Sequence, residues 1–174
     1  MPARRTEQRI LRPETPGDAA TIAQIVQTAF ENHPHSNQTE HLLVAALRDA
    51  DALLVSLVAE EAGEIMGHVV FSSVTMDGQD CGWVGLAPVA VRSDRQNQGI
   101  GSALIRAGLT ALKEKGRQGC VLVGDPEYYK RFGFIRHDEL VMEGVPPEYF
   151  LALPFVGIVP SGIVAHHPAF AVCW

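Results

Sequence analysis

Cysteine is scarce in this chain. Only Cys81, Cys120 and Cys173 occur in 174 residues. An odd number without C-x-x-C spacing argues against a disulfide framework and against a cysteine-based zinc site, and fits a reducing cytoplasm. Long apolar runs are missing too, and none approaches the ~18 residues of a membrane span. The start, Met1-Pro2-Ala3-Arg4-Arg5, is basic but leads into Thr6-Glu7-Gln8-Arg9, not into the apolar core of a signal peptide. Positive charge is in deficit. Lys and Arg number 14 against 20 Asp and Glu, a net charge of −6, which argues against a nucleic-acid partner held by bulk charge. Gly (16) and Pro (11) are too few and too scattered for low complexity. What is present is a globular composition, 47% hydrophobic and 20% charged. The length suits one domain over residues 1–174.

Periodicity gives a coarse order of elements. Residues 8–13 read as a strand. Ile22, Ile25, Val26, Ala29 and Phe30 recur at i, i+3, i+4, i+7 and i+8, one face of a helix that begins after Asp18. Asn37 and Glu40 have the form of a capping box for a second helix ending near Asp49. Residues 53–59, 65–74 and 84–91 read as strands. Glu61-Ala62-Gly63-Glu64 and Met76-Asp77-Gly78-Gln79 are the hairpin turns between them. Residues 102–115 form an apolar-sided helix, with Lys113 and Lys115 in its last turn and Gly116 after it. Residues 120–123 are a buried strand. Asp125-Pro126 opens a short helix, as N-cap and N1, that Gly133 ends. Residues 143–160 read as a Pro-rich loop and 163–172 as a last strand. The pattern is α/β, with no repeat and no linker.

The most informative segment is Val89-Ala90-Val91-Arg92-Ser93-Asp94-Arg95-Gln96-Asn97-Gln98-Gly99-Ile100-Gly101-Ser102. A strand runs into a two-glycine turn and then a helix. The first N–H groups of a helix lack internal partners and lie at the positive end of its dipole, and glycines let a bulky anion approach the backbone. A pyrophosphate suits such a place, with Arg92 and Arg95 as local positive charge. A P-loop is excluded because no Gly-Lys-Ser/Thr follows. A dinucleotide fingerprint fails because Leu104 stands where a third small residue belongs. On the glycines alone, an ordinary strand-to-helix turn that binds nothing stays an equal alternative.

The string Gln96-x-x-Gly99-x-Gly101 after Val89-Ala90-Val91 resembles motif A of the GCN5-related N-acetyltransferases (GNAT). Tyr129-Lys130-Arg131-Phe132-Gly133-Phe134 is similar to that family's late Tyr-x-x-x-Gly-Phe motif, and Arg12 and Asp18 flank the first helix as the family's opening residues do. Together with Leu86-Ala87-Pro88, these strings look like the YhbS-type subgroup. The element order agrees from residue 9 to about 136.

The resemblance implies a central mixed, mostly antiparallel sheet, splayed between the strand ending at Val91 and the strand at residues 120–123, with helices on both faces. It implies acetyl-CoA as co-substrate, its pyrophosphate on Gln96, Asn97, Gln98, Gly99, Ile100, Gly101 and Ser102, and its pantetheine arm along Val89, Ala90 and Val91. The activity it implies is acetyl transfer to a primary amine, of a small molecule or a peptide, by direct attack in a ternary complex. A non-catalytic acyl-CoA-binding or regulatory module on the same fold is the rival reading. The chain departs from the family's pattern in two places. Gly124-Asp125-Pro126-Glu127 leaves no Asn before the late Tyr motif, and residues 82–91 hold no carboxylate to serve as base.

Pro88 lacks an N–H, so the strand is disrupted there, as by a bulge, which can aim the Val89 N–H at a thioester oxygen. Tyr129 is the candidate general acid, and the adjacent Tyr128 leaves the helix in another direction. His68 is a weaker candidate base acting through water. His33, His35 and His41 match no zinc spacing and read as surface or acceptor-pocket residues, and no metal is expected. His166 and His167 alternate across the last strand and so share no ligand site. Arg131 reads as a surface ion pair, with a phosphate contact as the lesser alternative. The amine is expected near residues 28–40 and 145–155, with Tyr149 and Phe150 in a selective loop. A monomer or homodimer, cytoplasmic and without membrane or nucleic-acid partners, completes the expectation.

Overall fold

A computed structural model describes residues 8–173. Strand β1 (Ile10–Pro13) and a 3-10 turn lead into α1 (Ala19–Phe30) and α2 (Glu40–Asp49). Three strands follow, β2 (Val55–Glu61), β3 (Glu64–Met76) and β4 (Trp83–Val91), then α3 (Ile100–Glu114) and β5 (Gly119–Val123). The remainder is α4 (Pro126–Tyr129), a 3-10 turn, then β6 (Leu140–Val141), β7 (Phe150–Pro154), β8 (Gly162–His166) and a 3-10 tail at Pro168–Cys173. Asp77 and Gly78 both have left-handed backbone, φ 50° and 80°, as an Asp-Gly hairpin requires. Asp125 caps α4 through the Glu127 N–H at 2.9 Å.

The sheet order is β1-β2-β3-β4-β5-β7, antiparallel throughout except for parallel β4 and β5. α3 covers one face, where Ile100, Leu104, Ile105 and Leu112 pack on Met66, Val69, Phe71 and Leu86. α1 and α2 cover the other, where Ile22, Val26, Val44 and Leu47 pack on Val58, Val70 and Ala90. A third cluster joins Trp83, Val121, Phe150 and Val164. Side-chain alternation along β2 and β3 thus divides the apolar residues between two cores.

Four local expectations are corrected. α2 starts at Glu40 after Thr39, and no capping box forms there. Asn37 instead accepts from Thr39 and donates its amide to the Cys173 carbonyl, pinning the tail. Residues 143–160 are not all loop, because Phe150–Pro154 pairs with β5 from Val123 to Gly119. Prolines 146, 147, 154 and 160 mask a short apolar strand. The last strand is only Gly162–His166. Pro168, without an N–H, starts a 3-10 segment packed on α2, so His167 lies outside the strand.

Candidate active site

β4 and β5 pair only at Trp83–Gly119, Val84–Cys120 and Gly85–Val121. Beyond Gly85 the two strands separate, so residues 86–91 leave one edge of β4 without a strand partner. This is the expected splay. It opens beside an irregularity. Val69 pairs with Val89 and Phe71 with Leu86, so Ala87 and Pro88 together oppose Val70 as a bulge, and their peptide is cis. A proline without an N–H is tolerated at such a place.

The turn after β4 ends at the head of α3. Asn97 (φ 60°) and Gly99 (φ 80°) are left-handed, the second a conformation that glycine adopts without strain. No side chain caps α3, and its first internal bond from this end is Ala103 N–H to the Gly99 carbonyl. The amides of Ile100, Gly101 and Ser102 therefore have no helical partner. A Cβ on Gly101 would stand 3.5 Å from Val91 Cγ2 and 3.8 Å from the Tyr128 hydroxyl. Gln96 donates to the Val91 carbonyl at 3.3 Å and holds the turn against the strand. Gln96, Asn97, Gln98 and Gly99 are exposed, Ser102 is half-buried, and Val89 and Val91 are partly buried while Ala90 lies in the α1–α2 core.

The arginines of this turn do not act as free positive charge. Arg92 pairs bidentately with Asp94 at 2.6 and 2.8 Å and with Glu64 at 3.4 Å, and holds the Asp94 carboxyl below its usual range. Arg95 pairs with the buried Glu61, which Arg9 also binds at 3.0 Å. Arg9 foremost, then Arg95, lowers the Glu61 pKa. Positive potential at the turn thus rests on backbone amides and the helix dipole.

Tyr128 and Tyr129 stand nearly perpendicular, ring centroids 4.9 Å apart. The Tyr128 hydroxyl reaches Ser102 Oγ at 3.5 Å, so it is Tyr128 that touches the head of α3. Tyr129 packs on Phe134 (6.1 Å) and on Gly124, where a Cβ would come within 2.5 Å of its ring. Burial pushes its phenol up to about 12. Glycine at 124 is what admits this ring.

Other candidates are displaced. His68 does not face the wedge. It is fully buried, with Nε2 2.8 Å from Ser56 Oγ and 3.4 Å from Glu14, beside Arg48 of α2. This polar cluster of four distant residues carried no local sequence signal. Arg131 has no ion pair among the described residues and lies over the Tyr128 ring, Cζ 4.3 Å from the centroid. Phe150 is 4% exposed in the third core and so forms no part of a selective loop, whereas Tyr149 is 47% exposed. Burial raises the Cys120 thiol far above its ordinary value, and Cys81 is exposed with no activating base in contact. Among the described residues no His/Cys/Asp/Glu group could hold a metal ion, and no helix is long and apolar enough to cross a membrane.

Residues 53–136, from β2 to the Gly-Phe turn, match the family model of the acetyltransferase (GNAT) domain. The N-acetyltransferase YhbS of Escherichia coli (strain K12) is 39% identical over 126 residues, 72% of each chain. The chain belongs to the GNAT family of acetyltransferases. Two solved structures share its architecture. A GNAT family acetyltransferase from Brucella melitensis, in complex with acetyl-CoA, superposes with a TM-score of 0.85 at 46% identity, covering 94% of this chain and 99% of the other. Escherichia coli YhbS, in complex with CoA, gives 0.85 at 33% identity, covering 95% and 93%. The GNAT fold accounts for the parallel β4–β5 pair within an otherwise antiparallel main sheet, and the splay sits where the family resemblance expected it.

Proposed function

We propose that this acetyltransferase binds acetyl-CoA in the β4–β5 wedge and transfers the acetyl group to a primary amine by direct attack. The single observation that carries the reading is the uncapped head of α3. It presents three unpartnered amides beyond a left-handed glycine, directly at the mouth of the splay. The CoA and acetyl-CoA complexes of the two similar structures support it. The pyrophosphate rests on the amides of Ile100, Gly101 and Ser102, with Gln96, Asn97, Gln98 and Gly99 shaping the turn. The pantetheine arm runs along the free edge of Val89, Ala90 and Val91 and extends that edge as a strand would. At the bulge the Val89 amide polarises the thioester carbonyl.

The neutral amine attacks that carbonyl. The C–N bond forms, the C–S bond breaks, and the sulfur takes a proton from the Tyr129 hydroxyl, which regains one from solvent. The amine gives up its own proton to water. No carboxylate stands on β4, and His68 is sealed away, so no side-chain base is assigned. No cysteine near the wedge is activated as a nucleophile, which favours a ternary complex over an acetyl-enzyme.

Gly101→Val tests the cradle. Gly101 has a helical backbone and ordinary space at Cβ, so the variant adds no backbone strain and sets its branched side chain beside Val91 and Tyr128, against the anion. Gly99→Val is less clean, because φ 80° strains any branched side chain. Calorimetry should show Gly101→Val losing at least about tenfold in CoA affinity, ~1.4 kcal/mol. Unchanged affinity in the folded variant removes the cradle.

A further inference from the structure

The geometry points to a second anion subsite beside the head of α3, formed by Arg131 and Arg106, that takes the 3′-phosphomonoester of the CoA nucleotide. This rests on the reading of the α3 head as the pyrophosphate cradle. Neither guanidinium has a counter-charge among the described residues. Arg92 and Arg95, in the turn that leads to the cradle, are neutralised by Asp94, Glu64 and Glu61. Arg106 and Arg131 have no carboxylate within salt-bridge distance among the described residues, and both are exposed.

Each is instead laid over an aromatic ring. Arg131 Cζ lies 4.3 Å from the Tyr128 centroid and Arg106 Cζ 4.9 Å from that of Phe132. The two rings meet edge to face at 5.6 Å, so one aromatic pair supports both cations. Arg131 Nε also donates to the Tyr128 carbonyl at 2.8 Å. That bond fixes the guanidinium plane and leaves its two terminal nitrogens to a ligand.

Distance to the cradle follows from the same residues. The Tyr128 hydroxyl beneath Arg131 touches Ser102 Oγ at 3.5 Å. Arg106 is four residues after Ser102, one turn along the same face of α3. A phosphate seated between the two arginines is therefore one helical turn from the amides that hold the pyrophosphate. CoA carries both groups on a single ribose. A phosphomonoester has about 1.5–2 negative charges near pH 7, and a planar guanidinium meets it with paired hydrogen bonds. In a chain of net charge −6, two uncompensated guanidiniums supply a local attraction that the whole molecule lacks.

The test compares CoA with dephospho-CoA, which lacks only this phosphate, by calorimetry on the full chain at low and moderate salt. The wild-type protein should prefer CoA by about tenfold or more, and the preference should shrink as salt rises. Arg131→Ala should bring the two ligands within about threefold, mainly by weakening CoA, with dephospho-CoA affinity kept as the sign of an intact fold. Arg131→Lys should retain part of the preference, and Arg106→Ala should reduce it. A wild-type preference that survives Arg131→Ala overturns the subsite. So does an equal loss for both ligands, which places Arg131 on the pyrophosphate or in the fold. A wild-type protein that binds both ligands equally overturns the subsite alone, whereas one that binds neither overturns the cradle.

Discussion

Tyr129, the proton donor we propose, shows how surroundings set one residue's proton affinity. Its ring is enclosed by Phe134 and by the bare backbone of Gly124, and burial raises its phenol to about 12. A phenol with a raised pKa remains protonated across the working range, and the proton it would give the thiolate in the proposed mechanism is held more tightly than an ordinary phenol's. Tyr129→Phe keeps the packing and removes that proton. Turnover should fall by at least about 10²-fold while CoA affinity stays within about threefold. Steady-state kinetics, under conditions where chemistry limits, check this. Wild-type turnover should also show no loss from phenol ionisation below about pH 11, given a pKa of about 12. Tyr128→Phe is the control, since that hydroxyl meets Ser102 at the head of α3. Near-wild-type turnover in Tyr129→Phe assigns the proton to water.

At the scale of elements, α3 sets the geometry of the wedge because it lies flush on β3. A Cβ on Gly108 would fall inside the contact envelope of the fully buried Phe71 ring. Gly108→Ala gains helix propensity but overpacks this seam, and should destabilise by about 1–3 kcal/mol in urea titration. β7 is the opposite flank. Phe150 fills the core behind it, so Phe150→Ala should cost about 3–5 kcal/mol. Its exposed neighbour supplies the contrast, because Tyr149→Ala should stay within about 0.5 kcal/mol. Paired denaturant midpoints distinguish strand from loop at these two adjacent positions. The short run Phe-Leu-Ala-Leu was legible as apolar. Its strand pairing was not, because the partner, β5, lies some thirty residues away and local prolines dominate the signal.

For the whole molecule, buried titratable groups set the acid limit. His166 stacks on Phe170 with ring centroids 4.0 Å apart, and burial lowers its pKa from 6.5 to about 4. Between those values the unfolded chain binds a proton that the fold refuses, so stability falls as pH drops from about 6.5 to 4. His166→Phe should flatten that part of the stability–pH curve. A second decline belongs to carboxylates. Burial alone would raise Glu14, but bonds from His68, Ser56 and Arg48 outweigh it and leave its pKa at about 2, while Arg12 and Thr15 hold Asp18 low as well. Their stabilisation is complete above the ordinary carboxylate pKa and is lost as pH falls from about 4.5 toward 2. Denaturant titrations of wild type and His166→Phe between pH 7 and 3 separate the two phases.

Local rules settled much of this protein from the sequence alone. The period of α1 and α3, the Asp-Gly hairpin, the Asp125-Pro126 start and the Gly133 stop each depend on neighbours in the chain, as does the strand–glycine–helix order of residues 89–102. The tertiary structure decided what depends on distant partners. It neutralised Arg92 and Arg95 with carboxylates from β2 and the β3 edge, and enclosed His68 with Glu14, Ser56 and Arg48. Charge and proton affinity are properties of the assembled surroundings. Groups brought together from 12 to 54 residues apart leave no mark at the spacing of a turn or a helix.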